Sequence, residues 1–308
     1  DVVSENNYAS GLFLGEHWTV CNSVFRNNGV TGIGGNLIVG GLIENNIIHG
    51  NGAQQASGAA TNGGGIKVTQ AGTSAAPVVV RNNELYGNEE IAIWCDRGCG
   101  GFQVLDNYIH DHRSQAVMFE LSNNLVVRGN TILRSNTWTD FLGDFNAAAV
   151  TVGEARDALI ESNRIDVAQA GVAIRQTARP YPGENLAPYI NLTYVAGAVT
   201  VRNNLIGQVG SMGISTGTSG GGLITDPGSI TFTGNTYQNP LTMSFWWNNG
   251  TQMTFAQWQA EGRDTTSSGT QPSVPENQTR GPGTGDGLQL GSTTTTTSPT
   301  TAPPTTPA

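Results

Sequence analysis

One pattern recurs eight times along the chain and restricts what it can fold into. The segments "NSVFRNNGVTGI", "NNIIHGNG", "NNELYGNEEIAI", "DNYIHDHRSQAV", "GNTILRSN", "SNRIDVAQAGVAI", "NNLIGQVGSMGI" and "GNTYQNPLTMSF" each carry an Asn or a polar stand-in, an apolar residue two places on, and a small-apolar pair some eight later. Anchored on Ser23, Asn46, Asn83, Asn107, Asn130, Asn163, Asn204 and Asn235, the separations are 23, 37, 24, 23, 33, 41 and 31. A unit of about 23 residues with insertions lies in the range of solenoid repeats.

Each unit holds short alternating runs rich in Val and Ile, such as "LVVRGN" and "ALIESN", which spell strands with one face inward. No unit holds a helix pattern. One strand per side and about 23 residues per turn describe an all-β fold, a single chain coiled into a parallel β-helix whose rungs pair at about 4.8 Å. Equivalent positions then stack in columns, and Asn28, Asn51 and Asn88 share one in which inward amides satisfy turn backbone. His49 and His110 share another two rungs apart, about 10 Å, with Tyr86 between them; they read as turn residues, too far apart for one metal ion. The open edge at the end of such a coil needs a cover. "TFAQWQAEG" (254–262) supplies a short capping helix, with Thr254 and Gln257 as a capping box, Phe255 and Trp258 on one face, and Gly262 as its stop.

Residues 1–268 are therefore expected to form the β-helix. The chain begins midway through a repeat, so the reading includes further rungs and a leader cut away before Asp1. The segment 269–308, ending "STTTTTSPTTAPPTTPA", has the composition of a disordered linker to another module. Fourteen Lys plus Arg against 23 Asp plus Glu give a net charge of −9, which argues against nucleic acid or an anionic membrane as partner. No run approaches the roughly 20 apolar residues of a membrane span. Cys95 and Cys99 are spaced to close a small loop or to remain thiols, and Cys21 has no evident partner.

Aligning the rungs on Leu12, Ile33, Ile66, Ile93, Val117, Val150, Val172, Ile214 and Phe245 sorts the insertions to either side of one strand. About ten extra residues precede it within 52–64 and ten within 136–148; about four follow near 70–77, eighteen near 177–197 and eight near 217–228. Two walls beside one sheet make a cleft whose floor is the outward face of that strand. Outward positions are Phe13, Lys67, Trp94, Met118, Thr151, Ala173, Ser215 and Trp246, then Gly15, Asn36, Asp96, Glu120, Gly153 and Arg175. Asp96 and Glu120 thus stand at equivalent positions of adjacent rungs. Glu16 and His17 border the open end of the groove.

With "GGGIKV", "IAIWCD" and "VMFELS" in successive rungs, and "NTYQNPLTMSFWW" leading into "TFAQWQAEGRD", the sequence resembles the secreted bacterial right-handed parallel β-helix repeat proteins of the pectin-lyase-like superfamily. The resemblance covers about residues 5–268 and implies a right-handed coil, an extracellular location and action on carbohydrate. Lys67, Trp94, Asp96 and Glu120 match that family's recurrent groove residues. The superfamily includes lyases, hydrolases, epimerases and inert binding proteins, so the reaction stays open.

Three functions are carried forward. In a glycoside hydrolase, Asp96 and Glu120 supply acid and base, Trp94 stacks on a sugar, and Arg97, Arg175, Glu16 and His17 contact a poly- or oligosaccharide. No cofactor is required. In a polyuronate lyase, Lys67 or Arg97 abstracts a proton while Ca²⁺ held by Asp96 and Glu120 neutralises the uronate. In a binding module, the groove holds a polymer without chemistry. Each is pictured as a monomer tethered through its linker.

Overall fold

The structure, a computed structural model, describes residues 1–53, 63–135, 148–166, 168–177, 184–187, 190–192, 195–215, 224–248 and 250–266. The segment expected to be a linker, 269–308, and most of the two insertions expected before the groove strand, at 54–62 and 136–147, lie outside them.

Each turn of the coil gives one strand to each of three sheets, of nine, ten and eight described strands. Pairing between rungs is parallel throughout. The first sheet stacks Val24–Arg26, Ile47–His49, Glu84–Tyr86 and Tyr108–His110, the second Thr31–Ile38, Gly64–Ala71, Ile91–Asp96 and Val117–Glu120, and the third Gly41–Glu44, Val78–Arg81 and Phe102–Leu105. Between the sheets lies the core: Ile33, Ile66, Ile93, Ile48, Leu85, Ile109, Val80 and Val104 are all fully buried.

Corners between the third and first sheets explain the recurring Asn pairs. Asn22, Asn45, Asn82, Asp106, Gly129, Ser162, Asn203 and Gly234 take φ of 51° to 69°, the left-handed region that Asn, Asp and Gly enter most readily. The residue that follows turns inward. From Asn46 through Asn83, Asn107, Asn130, Asn163, Asn204 and Asn235, each backbone N and Nδ2 donates to the Oδ1 of the next rung at 2.9–3.1 Å. A buried amide thus spends its donors on its neighbour and on a strand carbonyl, as Asn107 Nδ2 does on Val80 O at 2.9 Å. The ladder ends on an acceptor. Asp264 takes the two donors of Asn235, the Tyr237 hydroxyl at 2.7 Å and the Trp258 indole N–H at 3.1 Å.

The second ladder, Asn28, Asn51 and Asn88, begins one rung earlier at Asn7. In the next rung its place is taken by His112, which follows left-handed Asp111 as Asn28 follows left-handed Asn27. His112 is fully enclosed, and that burial pushes its imidazole down to about 4. His49 and His110 are the last residues of their strands rather than turn residues. Their rings stack through Tyr86, with centroids 4.6 and 5.2 Å apart, and His110 also pairs with Asp111 at 2.6 Å.

Helix α1 (Phe255–Ala260) closes the C-terminal end as its capping box implied, with the Thr254 side chain accepting from Gln257 N and the Gln257 side chain from Thr254 N. Phe255 and Trp258 pack onto Phe245. An antiparallel turn, Ser244–Trp247 against Thr251–Met253, covers part of the same edge.

Candidate functional site

The second sheet holds the expected columns in register. Ile66 pairs with Ile93, Ile93 with Val117, Val117 with Val150 and Val150 with Val172, all pointing inward. Outward, one column runs Phe13, Gly34, Lys67, Trp94, Met118, Thr151, Ala173. A second runs Asn36, Thr69, Asp96 and, beyond the Cys95–Phe119 pair, Glu120, Gly153, Arg175.

The alignment fails at one rung. A register shift between Ala170 and Ala173 pairs Ala173 with Gly213 and Ile174 with Ile214, while Met212 pairs with Phe245. Ile214 is thus in the column of Ile174 rather than Val172. Ser215 stands opposite Arg175, and Gly213 takes the place next to Trp246 that the alignment gave to Ser215.

Two charge clusters occupy the face. Lys67 Nζ is 3.2 Å from Asp96 Oδ2 and 3.6 Å from the centroid of the Trp94 ring, so one ammonium joins an ion pair to a cation–π contact. Trp94 is 6% exposed and carries Lys67 on its ring face; its buried Nε1–H has no acceptor among the described residues. Asp96 Oδ1 accepts from the backbone N–H of Arg97 at 2.7 Å, and the Arg97 side chain is exposed. Cys95 and Cys99 form a disulfide that closes the turn carrying Asp96 and Arg97. Gly98 of that turn lies under Leu186, from a hairpin (Glu184–Leu186 against Ile190–Leu192) in the insertion expected near 177–197.

In the second cluster, Arg175 Nη2 lies 3.5 Å from Glu120 Oε1 and 3.8 Å from Glu154 Oε2, with all three side chains largely buried. Glu154 also accepts from Thr177 N at 2.5 Å. Arg175 crosses the rung between itself and Glu120 because Gly153 stands there without a side chain.

Glu90, unremarked in the sequence, stands just before strand Ile91–Asp96. Its half-buried carboxyl accepts from Gly63 N at 3.2 Å; burial is the largest influence and lifts its pKa, against that hydrogen bond and the attraction of Lys67. Nothing in a repeat pattern marks it, since its environment comes from a residue 27 positions away.

The floor is not uniformly open. Met118 and Glu120 are each 7% exposed, and Thr151 and Ala173 are fully buried. Toward the N-terminus the face opens at Thr69, Asn36 and Phe13. Glu16 and His17 are exposed at that end, on the rung of Phe13, and are not brought into either cluster. The donors do not suit Ca²⁺, which takes six to eight oxygens: Asp96 and Glu120 each face a cation, and no three His, Cys, Asp or Glu among the described residues converge on a metal position. No described helix is long and apolar enough to cross a membrane.

Comparison with known proteins agrees with the fold. No curated protein matches the chain. Two solved structures are similar, both A-modules of mannuronan C-5 epimerases from Azotobacter vinelandii. That of AlgE6 has a TM-score of 0.54 at 18% identity, covering 85% of this chain and 59% of its own. That of AlgE4 has a TM-score of 0.46 at 17% identity, covering 78% and 56%. The family model described as the right-handed β-helix region matches residues 2–137 and 60–260. With its three parallel sheets, its inward Asn ladders and this match over most of its length, the chain belongs to the right-handed β-helix family.

Proposed function

We propose that the protein acts on carbohydrate, hydrolysing a glycan on the outward face of the second sheet. The observation that carries this reading is the placement of Asp96 and Glu120 one rung apart, about 4.8 Å between backbones, on one face but in unlike surroundings. Side-chain exposure is 23% for Asp96 and 10% for Glu120. Hydrolysis of a glycosidic bond needs one carboxylate to activate water or attack and one carboxylic acid to protonate the leaving oxygen. Asp96, solvent-facing and fixed by Lys67, suits the first role. Glu120, at the equivalent position of the next rung, suits the second. Trp94 seats Lys67, and Arg97, exposed next to Asp96, contacts the sugar.

The Cys95–Cys99 disulfide supports an oxidising, extracellular setting. In that setting the Thr/Pro-rich segment 269–308 tethers the coil to another module.

The AlgE6 neighbour is by name a mannuronan C-5 epimerase, and at 18% identity it supports the fold of this chain rather than its substrate. Elimination on a polyuronate is nonetheless a second reading, favoured by an amine, Lys67, directly on the groove face. Hydrolysis releases new reducing ends without new ultraviolet absorbance; elimination leaves an unsaturated uronate that absorbs. A reducing-end assay over neutral and acidic glycans, run with wild type, Asp96→Asn and Glu120→Gln, tests the reading. Release that is absent throughout, or equal in all three proteins, would falsify it.

A further inference from the structure

We infer that Phe13 and Trp18 form a sugar-stacking platform three rungs N-terminal to Asp96, from which a neutral glycan chain runs along the outward face to the reaction site. The inference rests on the carbohydrate reading above and adds the direction and chemistry of the bound chain.

Exposure on that face is one-sided. Met118, Thr151 and Ala173 leave almost no room on the C-terminal side of Trp94, whereas Phe13 is 61% and Trp18 49% exposed at the other end. Phe13 belongs to the column of Lys67 and Trp94. Trp18 comes from the turn after the same strand and folds back: a Cβ at Gly15 would lie 2.5 Å from its Nε1 and 2.7 Å from its Cε2. Gly15 follows the Leu14–Gly35 pair and so opens the column that continues through Asn36 and Thr69 to Asp96. The two rings therefore lie one over each of the two outward columns.

Between them and the charged cluster the floor is low and neutral. Gly34 separates Phe13 from Lys67 with bare backbone, where a Cβ would touch Ser10 Oγ, Thr31 Oγ1 and the Phe13 ring at 3.3–3.4 Å. Beside it Thr69 Oγ1 donates to Asn36 Oδ1 at 2.8 Å. Hydroxyls and an amide suit sugar hydroxyls, and exposed rings suit the apolar faces of sugar rings. No Lys or Arg stands in either column between Phe13 and Lys67, so this stretch offers no cation to a uronate carboxylate. From Phe13 to Trp94 is three rungs, about 14 Å, the reach of an oligosaccharide rather than of one sugar.

The full chain is titrated in the cold with cellohexaose, xylohexaose, mannohexaose and hexagalacturonate, and with the disaccharide of whichever binds. One neutral hexasaccharide is expected to bind. Phe13→Ala and Trp18→Ala should each weaken it about tenfold while leaving the disaccharide unchanged, Phe13→Tyr should restore binding, and melting temperatures should stay at the wild-type value. Equal hexasaccharide affinity in both alanine variants overturns the platform and leaves the hydrolase reading standing. Tighter binding of hexagalacturonate than of the neutral sugars overturns the neutral assignment. If wild type binds none of the four, the carbohydrate reading falls and the platform with it. A wild-type dimer in sedimentation that Trp18→Ala dissociates identifies the rings as a contact between copies of the chain and also overturns the platform.

Discussion

Arg175 reaches Glu120 across the bare backbone of Gly153, placing its Nη2 3.5 Å from the carboxylate of a residue two rungs away. A Cβ at Gly153 would lie 3.1 Å from that Nη2. Gly153→Ala is expected to push the guanidinium aside and cost roughly 1–3 kcal/mol. Arg175→Met leaves Glu120 and Glu154 buried without their shared cation and should cost about 3–5 kcal/mol. Urea unfolding checks both, and equal midpoints in all three proteins would refute the role given to Gly153.

His112 makes stability fall in mild acid. Its folded pKa of about 4 lies below the ordinary value of 6.5, so as pH falls the unfolded chain takes up the proton first. Stability is complete above pH 6.5 and is lost progressively down to about pH 4, by up to about 3 kcal/mol. His112→Asn puts the amide of the neighbouring rungs in its place and removes this titration. Unfolding midpoints at pH 7.5 and 4.5 should therefore diverge less in the variant than in wild type.

Asp264 ends the amide ladder by accepting four donors, one of them from helix α1. Asp264→Ala strands those donors in the core, at about 1–3 kcal/mol for a buried group left unsatisfied. Asp264→Asn keeps one acceptor oxygen and should be milder. Limited proteolysis after Ala260 is expected to be fastest in the alanine variant, with the order reversed or flat if the helix is held by Phe255 and Trp258 packing alone.

Burial raises the pKa of Glu90, just before strand Ile91–Asp96, above the ordinary carboxylate value. Because its folded pKa is raised, stability is lost as pH rises from its unfolded pKa through the folded one. Glu90→Gln stays neutral and should unfold at higher urea than wild type at pH 7, with no gain at pH 4.

Much of this was legible because a coil repeats its demands. Asn46, Asn83, Asn107 and their successors recur since each corner needs a left-handed residue followed by an inward amide, and that spacing places Asp96 over Glu120 without further information. Thr254 and Gln257 announced the cap by local chemistry alone. Ile214 was misplaced because the bulge between Ala170 and Ala173 absorbs residues without disturbing the apolar alternation. Asp264 follows the last repeat, where no pattern marks it as the end of a ladder. The burial of Trp94 was equally hidden: alternation tells which way a side chain points, while its exposure depends on what else lies over that face.

The central claim is that a glycan is held along the second sheet from Phe13 to Asp96. Crystals of the Asp96→Asn variant soaked with the hexasaccharide that wild type binds test it most directly. Density stacked on Phe13 and Trp18, crossing Gly34 and placing a glycosidic oxygen within hydrogen-bond reach of residue 96, is the predicted result. A sugar bound on the first or third sheet, or a face left empty by a hexasaccharide that binds tightly in solution, would contradict it.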